Sequence, residues 1–133
     1  MTFTDSIKKI LLASILFLFL SCRKEQLLKM DGKWNFSLTE NDYINGVIIN
    51  SSVENGSMVF NEGGTGLVNA NSSSSSMTWS KSKDSVKLWI QQGNNIFFKI
   101  IEDKKKYQKW QSLAYYNSNP NKWDDITIIL TRN

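Results

Sequence analysis

Histidine is absent from this 133-residue chain, and cysteine and proline occur once each. Those gaps exclude histidine-based triads, the common zinc ligand sets and any internal disulfide, so stability must come from buried apolar side chains. A sustained helical period is also missing after the first thirty residues. Carboxylates are what remains for chemistry, and they come as two adjacent pairs, Glu102-Asp103 and Asp124-Asp125. Neighbours on a strand point to opposite faces, so neither pair can share a substrate without a bulge or turn. Both pairs fall at predicted strand ends, where acidic side chains are solvated, and calcium wants a tighter oxygen-rich loop. An enzyme built on a carboxylate pair therefore ranks last. The expectation is no catalytic residue, no cofactor and no metal.

Positive charge is also sparse in clusters. The net charge is +4 and falls to +3 if Lys8, Lys9 and Asp5 are removed with an export segment. Lys104-Lys105-Lys106 is one short run, read as a solvated turn, so no nucleic-acid partner is expected. Glu62-Gly63-Gly64-Thr65-Gly66 lacks the lysine-serine pair and following helix of a phosphate cradle, and is read as a turn between strands.

What the chain has in plenty, at its start, is hydrophobicity. Residues 10–20 are an unbroken run of Ile, Leu, Ala, Ser and Phe behind Lys8 and Lys9. As a helix the run would reach roughly 16 Å at about 1.5 Å per residue. A bilayer core of about 30 Å is out of its reach, whereas a signal peptide has this length and these flanks. Leu18-Phe19-Leu20-Ser21-Cys22 resembles the lipobox of bacterial lipoproteins, with Phe19 and Leu20 bulkier than the commonest pattern. That resemblance implies cleavage before Cys22 and a lipid on it. Residues 1–21 are thus expected to be a lipoprotein signal peptide, 22–30 a lipidated cysteine and tether, and 31–133 one domain.

In that domain the period is two. Trp34, Phe36 and Leu38 alternate with Asn35, Ser37 and Thr39, the pattern of a half-buried strand. Asn55-Gly56 is the strongest two-residue hairpin signal, ahead of Asn45-Gly46, with Met58 and Phe60 on the return strand. Residues 67–70 make a short strand, and the serines of 72–76 read as a polar loop. Val86, Leu88 and Ile90 face inward. Lys99 should avoid the core, which sends Ile96, Phe98 and Ile100 inward and demands an odd loop at Gly93-Asn94-Asn95, with Ile90 opposite Phe98. Trp89, Phe97 and Ile101 are then left outside. Tyr107 to Tyr116 fits neither period cleanly; Tyr107, Trp110 and Leu113 would share a helix face, Trp110, Ala114 and Tyr116 a strand face. Aromatic content and flanking turns choose strand. Asn117 to Asn121 is a turn around Pro120, and Ile126, Ile128 and Leu130 alternate in a final strand ending at Arg132.

Eight or nine short strands without a helix imply an all-β antiparallel meander, and closing it pairs the first strand with the last and removes both edges. Gly32-Lys33-Trp34 at the opening of the first strand and Arg132 at the close of the last resemble the marks of lipocalin-like barrels. The Phe60 to Gly66 turn, Thr78-Trp79 and the Ile128-Ile129-Leu130-Thr131-Arg132 end are similar to the small lipocalin-like lipoproteins of bacterial envelopes. The resemblance spans about residues 27 to 133 and implies that the arginine packs over the tryptophan at the closed end. It also implies an anchored envelope protein, on the outer membrane because Arg23 gives no inner-membrane retention cue. Such a barrel would bind a small apolar molecule inside a lining of Phe36, Leu38, Phe60, Leu88, Ile90, Phe98, Ile100, Ile126 and Ile128. The alternative is a barrel filled by its own side chains whose outer face or loops bind an envelope protein as an inhibitor or assembly subunit.

Overall fold

The computed structural model describes residues 29–133 apart from 92, 94 and 117. The expected signal peptide, Cys22 and residues 23–28 of the tether lie outside the described residues. Eight antiparallel strands follow one another around a closed barrel: β1 (Gly32–Ile44), β2 (Val47–Phe60), β3 (Thr65–Ala70), β4 (Ser73–Lys81), β5 (Ser85–Ile90), β6 (Asn95–Lys104), β7 (Tyr107–Tyr116) and β8 (Asn119–Thr131). Among the described residues there is no helix. The closing seam pairs β1 with β8 from Asn35 opposite Thr131 to Ile44 opposite Lys122. Tyr107–Tyr116 is a strand, with Gln108 and Trp110 buried on its inner face.

Turns alternate between the two ends of such a meander. The β2–β3, β4–β5 and β6–β7 turns stand with the start of β1 and the end of β8 at one end. The β1–β2, β3–β4, β5–β6 and β7–β8 turns stand at the other. The first end is packed shut: Trp34, Phe60, Met77, Leu88, Phe98, Trp110, Ile128 and Leu130 are almost wholly buried, as is Met30 just before β1. Phe60 meets Trp79 and Trp110 edge-on, with ring centroids 5.3 and 6.2 Å apart. The other end is wider and uneven, because β1, β2 and β8 have 13, 14 and 13 residues whereas β3 and β5 have six each. Beyond Gly56, β2 pairs with β1 alone, so residues 47–55 carry an unpaired edge.

Several local expectations are corrected by this register. The first hairpin turns at Asn45-Gly46, both with positive φ (51° and 78°), the geometry that a two-residue hairpin loop needs. Asn55-Gly56 instead lies inside β2, with Phe36 directly opposite Gly56. A Cβ on Gly56 would come within 2.2 Å of the Asn69 carbonyl oxygen and 2.8 Å of the Phe36 ring. Glycine is there for close approach, and the ring covers the gap. The serine run is strand, since Ser73, Ser74, Ser75 and Ser76 pair with Ala70, Asn69, Val68 and Leu67, and the turn is Asn71-Ser72. Asn119 and Pro120 likewise belong to β8, so the last turn is shorter than the sequence suggests.

The β5–β6 register also differs. Val86, not Ile90, stands opposite Phe98, and Leu88 stands opposite Ile96. The slip is by an even number of residues, so every side chain keeps its face, and Trp89, Phe97 and Ile101 are exposed outside. Gly93 donates to the Ile90 carbonyl at 2.9 Å and closes a longer loop than expected. In β6, Ile101 is an extra residue between Ile100 and Glu102. That bulge sends Glu102 outward and turns Asp103 inward, where a regular strand would have done the reverse.

Candidate functional site

At the narrow end, Arg132 lies over Trp34 with its guanidinium carbon 4.2 Å from the ring centroid. Its three nitrogens donate to the carbonyls of Lys105, Asp31 and Lys29 at 2.8, 3.1 and 3.1 Å, and the Trp34 indole N–H donates to the Met30 carbonyl at 2.8 Å. One arginine therefore ties the entering chain to the β6–β7 turn. Gly32, beside Trp34 and opposite Phe60, has φ 106° and turns the chain into β1. Beside the β6–β7 turn, Lys81 pairs with Asp103 at 2.8 Å, and Gln108 donates to Asp103 and accepts from the Trp110 indole. Aromatic packing and a satisfied polar network leave this end as a plug.

The wide end is where a ligand can enter. A cleft of about 250 Å³ opens between β1, β2, β3, β4 and the end of β5, floored by Phe36, Leu38, Met58, Val68, Ala70 and Ile90. Its rim carries Glu54, Asn71, Ser73 and Ser75, and Asn71 donates to Glu54 at 3.2 Å. All nine side chains named as interior lining pack in or against the core: Phe36, Phe60, Leu88, Phe98 and Ile128 are buried, and Leu38, Ile90, Ile100 and Ile126 are partly so. They do not all reach the cleft. Phe36, Leu38 and Ile90 line it, whereas the most deeply buried of the others fill the barrel below.

Alternation in β1 continues past Leu38 to Glu40 and Asp42, which brings two carboxylates onto the inner wall. Asp42 stands directly opposite Asp124 of β8. One oxygen each from Glu40, Asp42 and Asp124 lies within 4.8 Å of the others. Asp124 is 8 % exposed; its Oδ2 accepts from the Tyr116 hydroxyl, while its Oδ1 is buried without a hydrogen-bond partner. Asn50 donates to Asp42 Oδ2 at 3.3 Å. Burial, followed by the charges of Asp124 and Asp42, holds the Glu40 carboxyl above its ordinary range. The bond to Asp124, followed by burial and the neighbouring carboxylates, holds the Tyr116 phenol up as well, so it stays a donor. Asp125, by contrast, faces out and is bound by Gln111.

Apolar alternation alone does not reveal this wall: in β1 it stops at Leu38, whereas the inward positions run on at the same spacing through Glu40 and Asp42, and the adjacency of Asp124 and Asp125 does not show which of the two turns inward. No family model, curated protein or solved structure matches the chain.

Proposed function

We propose that this protein is a non-enzymatic, lipid-anchored envelope module of lipocalin-like type whose barrel takes a small, largely apolar ligand at its wide end. The cleft over Phe36, Leu38, Met58, Val68, Ala70 and Ile90 carries this reading. Its volume lies just under the roughly 300–1,000 Å³ of drug-sized sites, so the ligand is small. Glu54 on the rim makes the mouth of the cleft repel anions, and Glu40, Asp42 and Asp124 add negative charge elsewhere on the inner wall of the wide end. The ligand is therefore neutral or cationic. The chain enters the barrel at the plugged end, so a lipid on Cys22 would put that end toward the membrane and the cleft away from it.

The test is calorimetric titration of the chain from Arg23 onward with two probes that share an aromatic body, 1-(aminomethyl)naphthalene and 1-naphthylacetate. The amine should bind saturably and the carboxylate at least tenfold more weakly. Val68→Phe, which fills the cleft from β3, should abolish binding while the far-ultraviolet spectrum of the barrel is kept. Equal affinity for both probes, or binding untouched by Val68→Phe, would place the ligand elsewhere.

A second reading has one observation in its favour. The unpaired edge of β2 carries Val47, Ile48, Ile49 and Val53, each more than half exposed. An extended segment of a protein partner could add a strand there. Tenfold loss of partner capture in a Val53→Lys variant, with probe binding unchanged, would favour it.

A further inference from the structure

We propose that Glu40, Asp42 and Asp124 form a divalent-cation site on the inner wall of the wide end, with calcium as the preferred ion. Two strands that pair directly supply the ligands. Calcium binds carboxylate oxygens at about 2.3–2.6 Å, so two oxygens on opposite sides of one ion stand roughly 5 Å apart. The three oxygens here lie within 4.8 Å of each other, which admits a single ion between them. Histidine is missing from the chain and the described residues contain no cysteine, so the donor set is oxygen alone and suits a hard cation.

Clustered carboxylates would not suffice for this, but Asp124 adds an independent sign. Its side chain is more than nine-tenths buried, and Oδ1 accepts no hydrogen bond. A buried carboxylate oxygen without a partner is costly and rare in folded proteins. The neighbouring donors explain how the oxygen is held ready. Tyr116 on β7 pins Asp124 Oδ2, and Asn50 on β2 pins Asp42 Oδ2, so each carboxylate keeps its other oxygen for a ligand. Lys122, the nearby cation on β8, has its ammonium 4.5 Å over the Tyr116 ring.

Retention of a proton on Glu40 is the competing way to relieve the repulsion. The two are separated by titrating the full chain, in nanodiscs of zwitterionic lipid and freed of metal with a chelator, with CaCl₂ at pH 7.5 against empty nanodiscs. One saturable site is expected, with a dissociation constant between about 1 µM and 1 mM. TbCl₃ should occupy the same site, emit on excitation of Tyr116 and neighbouring aromatics, and be displaced by CaCl₂. Asp124→Asn should weaken calcium at least tenfold, and Asp125→Asn on the outer face should change it less than twofold. If Asp124→Asn does not fold by near-ultraviolet circular dichroism, Glu40→Gln takes its place with the same expectation. No saturable calcium heat and no displaceable terbium emission would overturn the proposal. So would binding that survives Asp124→Asn or Glu40→Gln in a folded chain, or stabilisation by acid with none by calcium.

Discussion

Trp34 and Arg132 show how differently two touching side chains can be worth. Trp34 is almost wholly buried, so Trp34→Ala removes a large core side chain and should cost about 3–5 kcal/mol. The cation over its ring is worth about 0.5–2 kcal/mol, and the three carbonyls on Arg132 add to that. Arg132→Lys keeps a charge but cannot reach three carbonyls at once. It should therefore destabilise by less than Trp34→Ala in urea titrations, and a larger loss would contradict this packing. Glu40 gives the residue scale its pH dependence. Its folded-state pKa is raised by burial and then by Asp124 and Asp42, with Tyr116 facing the same group. The folded chain holds that proton more tightly than the unfolded one, so in metal-free buffer this stability is fullest below the ordinary glutamate range. It is lost as pH rises through the higher folded value. Glu40→Gln should flatten that decline just above the ordinary glutamate range, whereas a Glu40→Gln curve that falls as steeply as wild type there would speak against it.

Among elements, two identical dipeptides had opposite fates. Asn45-Gly46 turns and Asn55-Gly56 does not, because the register of β1 places the Phe36 ring over Gly56. A local propensity rule sees only the dipeptide. Strand identity and inward facing were legible in the chain because period two depends on neighbours two residues away, as with Trp34, Phe36 and Leu38. Registers, the Ile101 bulge and the pairing of Asp42 with Asp124 were not, since each depends on a partner strand distant in sequence. The two glycines can be told apart by substitution. Gly46→Ala meets open space but a positive φ and should cost about 1–2 kcal/mol. Gly56→Ala drives a methyl into the Asn69 carbonyl and the Phe36 ring, a clash that should cost at least about 1–3 kcal/mol. Equal denaturation midpoints for Gly56→Ala and wild type would refute the close approach.

Taken whole, the molecule differs in charge from end to end. Glu40, Asp42, Glu54, Asp124 and Asp125 gather toward the wide end with Lys122 as their nearby cation, while the plugged end mixes both signs, with Lys29, Lys104, Lys105, Lys106 and Arg132 beside Asp31, Glu62, Asp84, Glu102 and Asp103. Barrel closure was foreseeable because an open meander of this length would have left two bare edges. Which end stayed open was decided by strand lengths and side-chain volume, which alternation alone does not encode. The central claim, that the wide end is the binding end, is tested most directly by amide chemical-shift mapping of the barrel during titration with 1-(aminomethyl)naphthalene. The shifts should concentrate at Leu38, Val68, Ala70, Ser75 and Ile90 and leave Trp34, Trp110 and Arg132 silent. Shifts confined to the plugged end or to the outer edge of β2 at Val47, Ile48 and Val53, or no saturable shifts at all, would contradict it.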